Sequence, residues 1–245
     1  MSAAIPYCGA APLPGTLLER FNLDPVLIVL LVLAASWHLA RRPHARWQAS
    51  AGWALVAAAL ISPLCALSVS LFSARIAQHM VLLLTAAPLL ALSLPAPRIE
   101  RQRAHIWLSA LAFLLALWYW HMPTPYQATF DSTLVYWLMH VTLFGSGLLL
   151  WHALLTAGRP HTPDALAVAL LTSMQMGLLG AVLALASRPL FFSHLTTTQV
   201  WGLTPLEDQQ LGGVIMWVPG IALFLWATLR GLASLRARVE GSTRA

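Results

Sequence analysis

The sequence predicts an all-α protein, a polytopic membrane bundle of about seven transmembrane helices with the N-terminus out and the C-terminus in. Three observations carry that prediction. The 245 residues are 59% apolar and only 9% charged, with a mean hydropathy of +0.73, whereas soluble domains carry about a quarter charged residues. Apolar stretches recur at close to the roughly 20 residues that span a bilayer. The arginines fall unequally on alternate loops.

The stretches run over residues 24–40, 47–67, 76–94, 105–120, 134–156, 164–186 and 209–232. The first and fourth are short, so each borrows flanking residues or tilts little. Polar or proline-rich breaks separate them: ArgArgProHis at 41–44, LeuProAlaPro at 94–97 and HisMetProThrPro at 121–125. Proline ends helices because it lacks an amide donor and clashes with the preceding turn. The chain therefore divides into an extracytoplasmic segment (1–23), a transmembrane domain (24–233) and a cytoplasmic tail (234–245). The first 23 residues hold prolines and Cys8 but no apolar core of a cleavable signal. No repeat suggests an inverted-repeat transporter.

Orientation follows from charge. All fourteen basic residues are arginine. Arg41, Arg42, Arg46, Arg98, Arg101, Arg103, Arg159, Arg230, Arg236, Arg238 and Arg244 fall on one side; Arg20, Arg75 and Arg188 fall on the other, with Glu19, Asp24, Asp131, Glu207 and Asp208. The arginine-rich side stays cytoplasmic, so the basic balance reports topology and not a nucleic-acid partner.

That topology sorts the ligand-type residues. His38, His44, His105, His152 and His161 lie toward the cytoplasm, and His79, His121, His140 and His194 toward the outside. Met80, Met122, Met139 and Met216 also fall on the outer side, as do Cys8 and Cys65. Imidazole, thioether and thiolate are the donor set that favours Cu(I). Methionine is also an ordinary gap-filler in apolar cores. A histidine inside a span is rarer and more often functional, which singles out His140 and, nearer the interface, His79. His194, in a loop, is expected to be solvated. Cys8 and Cys65 make no CxxC and are too few for a disulfide framework; whether they ligate, pair or do neither is open. Gln209, Gly213, Met216 and Gly220 recur at helical spacing on one face, a packing stripe. Asp208 stands there either as an N-cap or, with Met216, as the wall of an outer polar pocket. No phosphate loop and no HExxH zinc motif occurs.

Several segments together resemble one family. They are AlaGlnHisMetValLeuLeu at 77–83, AlaAlaProLeuLeu at 86–90, TrpHisMetPro at 120–123, His140, TrpGlyLeuThrProLeuGluAspGlnGln at 201–210 and GlyGlyValIleMetTrpValProGly at 212–220. In this order they are similar to the CtaG-type cytochrome c oxidase assembly factors, the polytopic family associated with caa-type oxidases. The resemblance runs from about residue 72 to 220. It implies a non-enzymatic, multi-pass protein of the bacterial cytoplasmic (inner) membrane that matures a haem-copper oxidase, with copper delivery as its chemistry. The family's polar positions map onto His79, His121, His140, Asp208, Gln209 and Met216. Arg75 stands where members commonly carry histidine, and Tyr136 and Met139 stand where histidine and glutamate are frequent. The expected site is thus a Cu(I) pocket of His79, His121 and His140, with Met216, Met80 or Met139 as thioether ligands and Asp208 orienting a ligand or docking a partner. Expected partners are cytochrome c oxidase subunits, a periplasmic copper chaperone and the lipid bilayer. A membrane haem- or quinone-binding oxidoreductase and a copper transporter are the alternatives.

Overall fold

The computed structural model describes residues 5–96 and 101–242, which are helical with no strand among them. Arg98 and Arg244 of the arginine tally lie outside the described residues, as do the side chains of Arg159, Arg230, Arg236 and Arg238 and the end of the expected tail. In chain order the helices are α1 (Pro25–Arg41), α2 (Arg46–Ile61), α3 (Pro63–Ser70), α4 (Phe72–Met80), α5 (Ala87–Ser93), α6 (Gln102–Trp120), α7 (Pro123–Asp131), α8 (Thr133–Leu155), α9 (Thr162–Ala184) and α10 (Pro205–Ser242). Four runs are long and apolar enough to cross a bilayer alone: Phe72–Ser93, which joins α4 to α5, then Thr133–Leu155, Thr162–Ala184 and Pro205–Leu229. Two bent pairs, α2 with α3 and α6 with α7, bring the count to as many as six. The expected seventh, α1, is a shorter apolar helix.

Prolines set the bends. Ser62 precedes Pro63 and is driven to an extended backbone (φ −66°, ψ 169°), because the ring of a proline disfavours helix at the residue before it. The Ser62 side chain then caps α3 by accepting from Leu64 N, and the axis turns by 48°. Met122 before Pro123 does the same (ψ 143°), turning the axis by 74°. The single stretch expected over 47–67 is therefore broken, and the one ending at Trp120 continues into α7. Between α4 and α5 the chain forms a π-helical segment, Val81–Ala86. Pro88 has no N–H to offer the carbonyl of Leu83 five residues back. Trp151 Nε1 on α8 donates to that carbonyl instead, at 2.7 Å.

Close packing of α9 on α10 follows from small residues. A Cβ on Gly213 would lie 2.5 Å from Ala184 N and 2.7 Å from Gly180 O, so the backbones nearly touch. One residue earlier, a Cβ on Gly212 would strike the Phe72 ring on α4 at 2.5 Å. With α10 held against α4 in this way, Asp208 reaches the start of α4. Leu71, the residue before α4, offers no side-chain cap. The Asp208 carboxylate accepts from Phe72 N at 2.6 Å, Ser73 N at 3.1 Å and Ser73 Oγ at 2.5 Å, all buried. A carboxylate at a helix N-terminus meets both unpaired amides and the positive end of the helix dipole.

The N-terminal segment packs over this same end of the bundle. Cys8 and Cys65 form a disulfide with Cα atoms 5.5 Å apart. Tyr7 packs against the rings of Tyr136 and Trp137, at 4.9 and 5.1 Å between centres, and its hydroxyl donates to Asp24 at 2.5 Å. Ser70 Oγ donates to Pro12 O. Asp208→Ala leaves two amides and a hydroxyl buried without an acceptor, and is expected to cost about 3 kcal/mol, read as a lowered unfolding midpoint of the detergent-solubilised protein. Thiol alkylation of native protein is expected to label neither cysteine until a reductant is added; labelling of unreduced protein would contradict the pairing.

Candidate functional site

His79 lies on α4, His121 at the C-cap of α6 where the chain bends, and His140 on α8. All three are buried, at 3, 4 and 5% exposure. Their rings converge, His79 standing 5.9 Å from His121 and 5.5 Å from His140 between centres, both edge to face. Two of the three have their tautomer fixed by the helix itself. His121 Nδ1 lies 2.6 Å from Leu117 O and His140 Nδ1 3.1 Å from Tyr136 O. A carbonyl only accepts, so each Nδ1 carries the proton and each Nε2 keeps its lone pair. Both Nε2 atoms are buried with no hydrogen-bond partner, and so are both nitrogens of His79. Buried polar atoms are paired in the great majority of cases, so four unpaired nitrogens on three adjacent rings, three of them with a free lone pair since neutral His79 keeps one N–H, form a concentrated, uncommitted set. They do not amount to a closed cage: among the described residues no group of three or more His, Cys, Asp or Glu stands ready to hold an ion.

The remaining expected site residues are placed differently. Met80, Met139 and Met216 are buried at 6, 0 and 0% exposure, in one continuous apolar cluster with Ile76, Leu83 and Phe113. Asp208 directs its hydrogen bonds to the first turn of α4 and none to a histidine; it caps a helix other than its own. Gln209, also buried, accepts from Leu190 N and donates to Leu183 O, tying α10 to the end of α9 and to the connection that leaves it.

His194 corrects an expectation. It is 2% exposed and not solvated, with Nε2 2.7 Å from the hydroxyl of Tyr126. The aromatic neighbours Phe72, Tyr126 and Phe130 exclude water from it. Burial, with Arg75 as a second cause, pushes its pKa down to about 3.

Arg75 is the residue that reading the sequence undervalued. It is 1% exposed and lies one helical turn before His79. Its guanidinium sits 4.2 Å from the ring centre of Phe130, 5.1 Å from Tyr126 and 5.9 Å from Tyr136, and Nη1 donates to Thr129 Oγ1 at 2.6 Å. Tyr136 in turn packs on His140 at 4.3 Å, and its hydroxyl lies 3.3 Å from Cys8 Sγ. A charge inside a span is a functional candidate by default, but the sequence reading puts Arg75 one residue before the third apolar stretch, among the outer charges.

Against known proteins, the family described as cytochrome c oxidase caa3 assembly factor matches over residues 29–236. No curated protein and no solved structure matches.

The depressed pKa of His194 has a testable sign. The folded state holds this ring neutral, so its contribution is fully present above the ordinary value of 6.5 and is lost progressively as the pH falls toward about 3. At pH 5.5 the loss is expected to be about 1.4 kcal/mol. The unfolding midpoint of wild type should fall more steeply between pH 7 and 5.5 than that of His194→Gln; equal slopes would contradict the assignment.

Proposed function

This chain belongs to the cytochrome c oxidase caa3 assembly factor family, and from that premise we propose that it holds Cu(I) at His79, His121 and His140 for delivery to the oxidase. A role in cytochrome c oxidase assembly, carried out in association with the oxidase from within a membrane, is what the family indicates. Copper as the cargo, the ligands and the outward placement are our reading.

The observation that carries it is the set of four buried, unpartnered imidazole nitrogens, with two tautomers preset by the carbonyls of Leu117 and Tyr136. Neutral imidazole is a good ligand for copper, and a hydrogen bond from the second ring nitrogen raises its basicity and fixes the ring. An open arrangement suits transient holding, because cargo must leave as well as enter. Met80, Met139 and Met216, buried in the apolar core cluster, are candidate thioether donors, and thioether favours Cu(I) over harder ions. The disulfide at this end favours an extracytoplasmic placement, since disulfides persist in oxidising compartments. The arginine asymmetry points the same way. With α1 as a seventh crossing, the N-terminal segment and the C-terminus would lie on opposite sides of a bacterial cytoplasmic membrane. The protein then acts as a carrier, not an enzyme, with a periplasmic copper chaperone as the class of donor that fits an outward site.

The test is the copper content of purified protein after anaerobic loading with Cu(I). Wild type is expected to retain the metal through gel filtration, and His140→Ala to lose most of it. Equal, negligible copper in the two proteins would remove the copper reading and leave the assembly role standing.

A further inference from the structure

The histidine cluster has a fixed positive charge in its wall. Arg75 lies on the same face of α4 as His79, since residues four apart are neighbours on a helix surface. Through Tyr136 it also lies one ring away from His140. An arginine stays charged in proteins. Among the described residues no carboxylate is within ion-pair distance of it; the ion pairs there involve Asp164 with Arg103 and His161. Asp208, the buried acid of this end, is engaged by the amides of α4. The rings of Phe130, Tyr126 and Tyr136 and the hydroxyl of Thr129 stabilise the guanidinium without cancelling its charge. Its Nε has no partner at all.

We propose that Arg75 is a specificity-determining residue: a buried, unneutralised cation that makes the histidine site select a monovalent ion over a divalent one. The proposal rests on the copper reading above. Three neutral imidazoles bring no negative charge, so whatever charge an ion carries stands uncompensated beside the guanidinium. Repulsion scales with the charge of the ion. A divalent ion meets one unit more of it than Cu(I) does. Unit charges about 7 to 10 Å apart at an effective dielectric constant of about 20 interact strongly enough that one further unit changes affinity by roughly ten- to a hundredfold. Ordinary nitrogen sites prefer the divalent ions late in the first transition row, so a neutral histidine cluster lacking this charge would be open to Zn(II). Arg75 need not touch the metal. It acts through the field it sets up across the site.

The experiment compares dissociation constants for Cu(I) and Zn(II), by chelator competition, on the full-length protein in detergent. Wild type is expected to bind Cu(I) far more tightly than Zn(II). In Arg75→Gln the gap between the two constants should narrow by roughly ten- to a hundredfold, while Arg75→Lys, which keeps the charge, should stay near wild type. A purely structural role would weaken both metals together and leave their ratio alone. An unchanged ratio in Arg75→Gln, or a lysine variant that behaves like the glutamine one, overturns the proposal. So does wild type that binds Zn(II) as tightly as Cu(I), a result that needs no variant to fold. Absence of Cu(I) binding in wild type is a separate outcome: it removes the copper reading, and this inference with it.

Discussion

Asp208 and the first turn of α4 meet in an interior where neither could be left alone. Unpaired amides at a buried helix start and a carboxylate away from water are each costly, and together they satisfy one another. The pairing is possible only because Gly212 and Gly213 let α10 lie against α4 on one side and α9 on the other. Once the start of α4 is fixed, the depth of everything along it is fixed too. Arg75 comes within the first turn and His79 on the next. The π-helical segment then follows, its Leu83 carbonyl held by Trp151. The position of the histidine cluster thus depends on a contact between residues that take no part in it.

The histidine cluster is assembled by different means in each helix. His140 sits in an uninterrupted span, while His121 sits where α6 stops, and it is the bend at Met122 that leaves its ring facing His79. For both, a backbone carbonyl one turn back orients the imidazole. Such orientation by the ring's own helix requires no partner side chain, which leaves the outward nitrogens uncommitted. His79 differs in having no hydrogen bond on either nitrogen.

Much of this is legible in the sequence. Hydropathy gave the class, and topology together with the family resemblance brought His79, His121 and His140 to one end. What sequence could not supply were pairings between distant segments. The partner of Asp208 lies on a helix 135 residues away, and no local pattern marks a carboxylate that caps someone else's helix. His194 was misjudged because a loop residue is ordinarily wet, and only the packing of Phe72, Tyr126 and Phe130 makes this one dry. The cysteines sit 57 residues apart and carry no motif. Arg75 stands out in the sequence only as an outer-side charge in place of a histidine of the family, because tallying charges by loop does not register depth.

The seat of Tyr7 carries a consequence for biogenesis. Its ring packs on Tyr136 and Trp137 of α8 and its neighbour Cys8 is tied to Cys65. A ribosome makes Tyr7 long before it makes α8, so although Cys65 and Ser70, the partners of Cys8 and Pro12, arrive with α3, the ring of Tyr7 has no seat while the first helices enter the membrane. That ring must wait until a much later span arrives. One of the earliest side chains of the described chain is therefore among the last to be seated, and it closes over the histidine end only after the helices that build that end are in place.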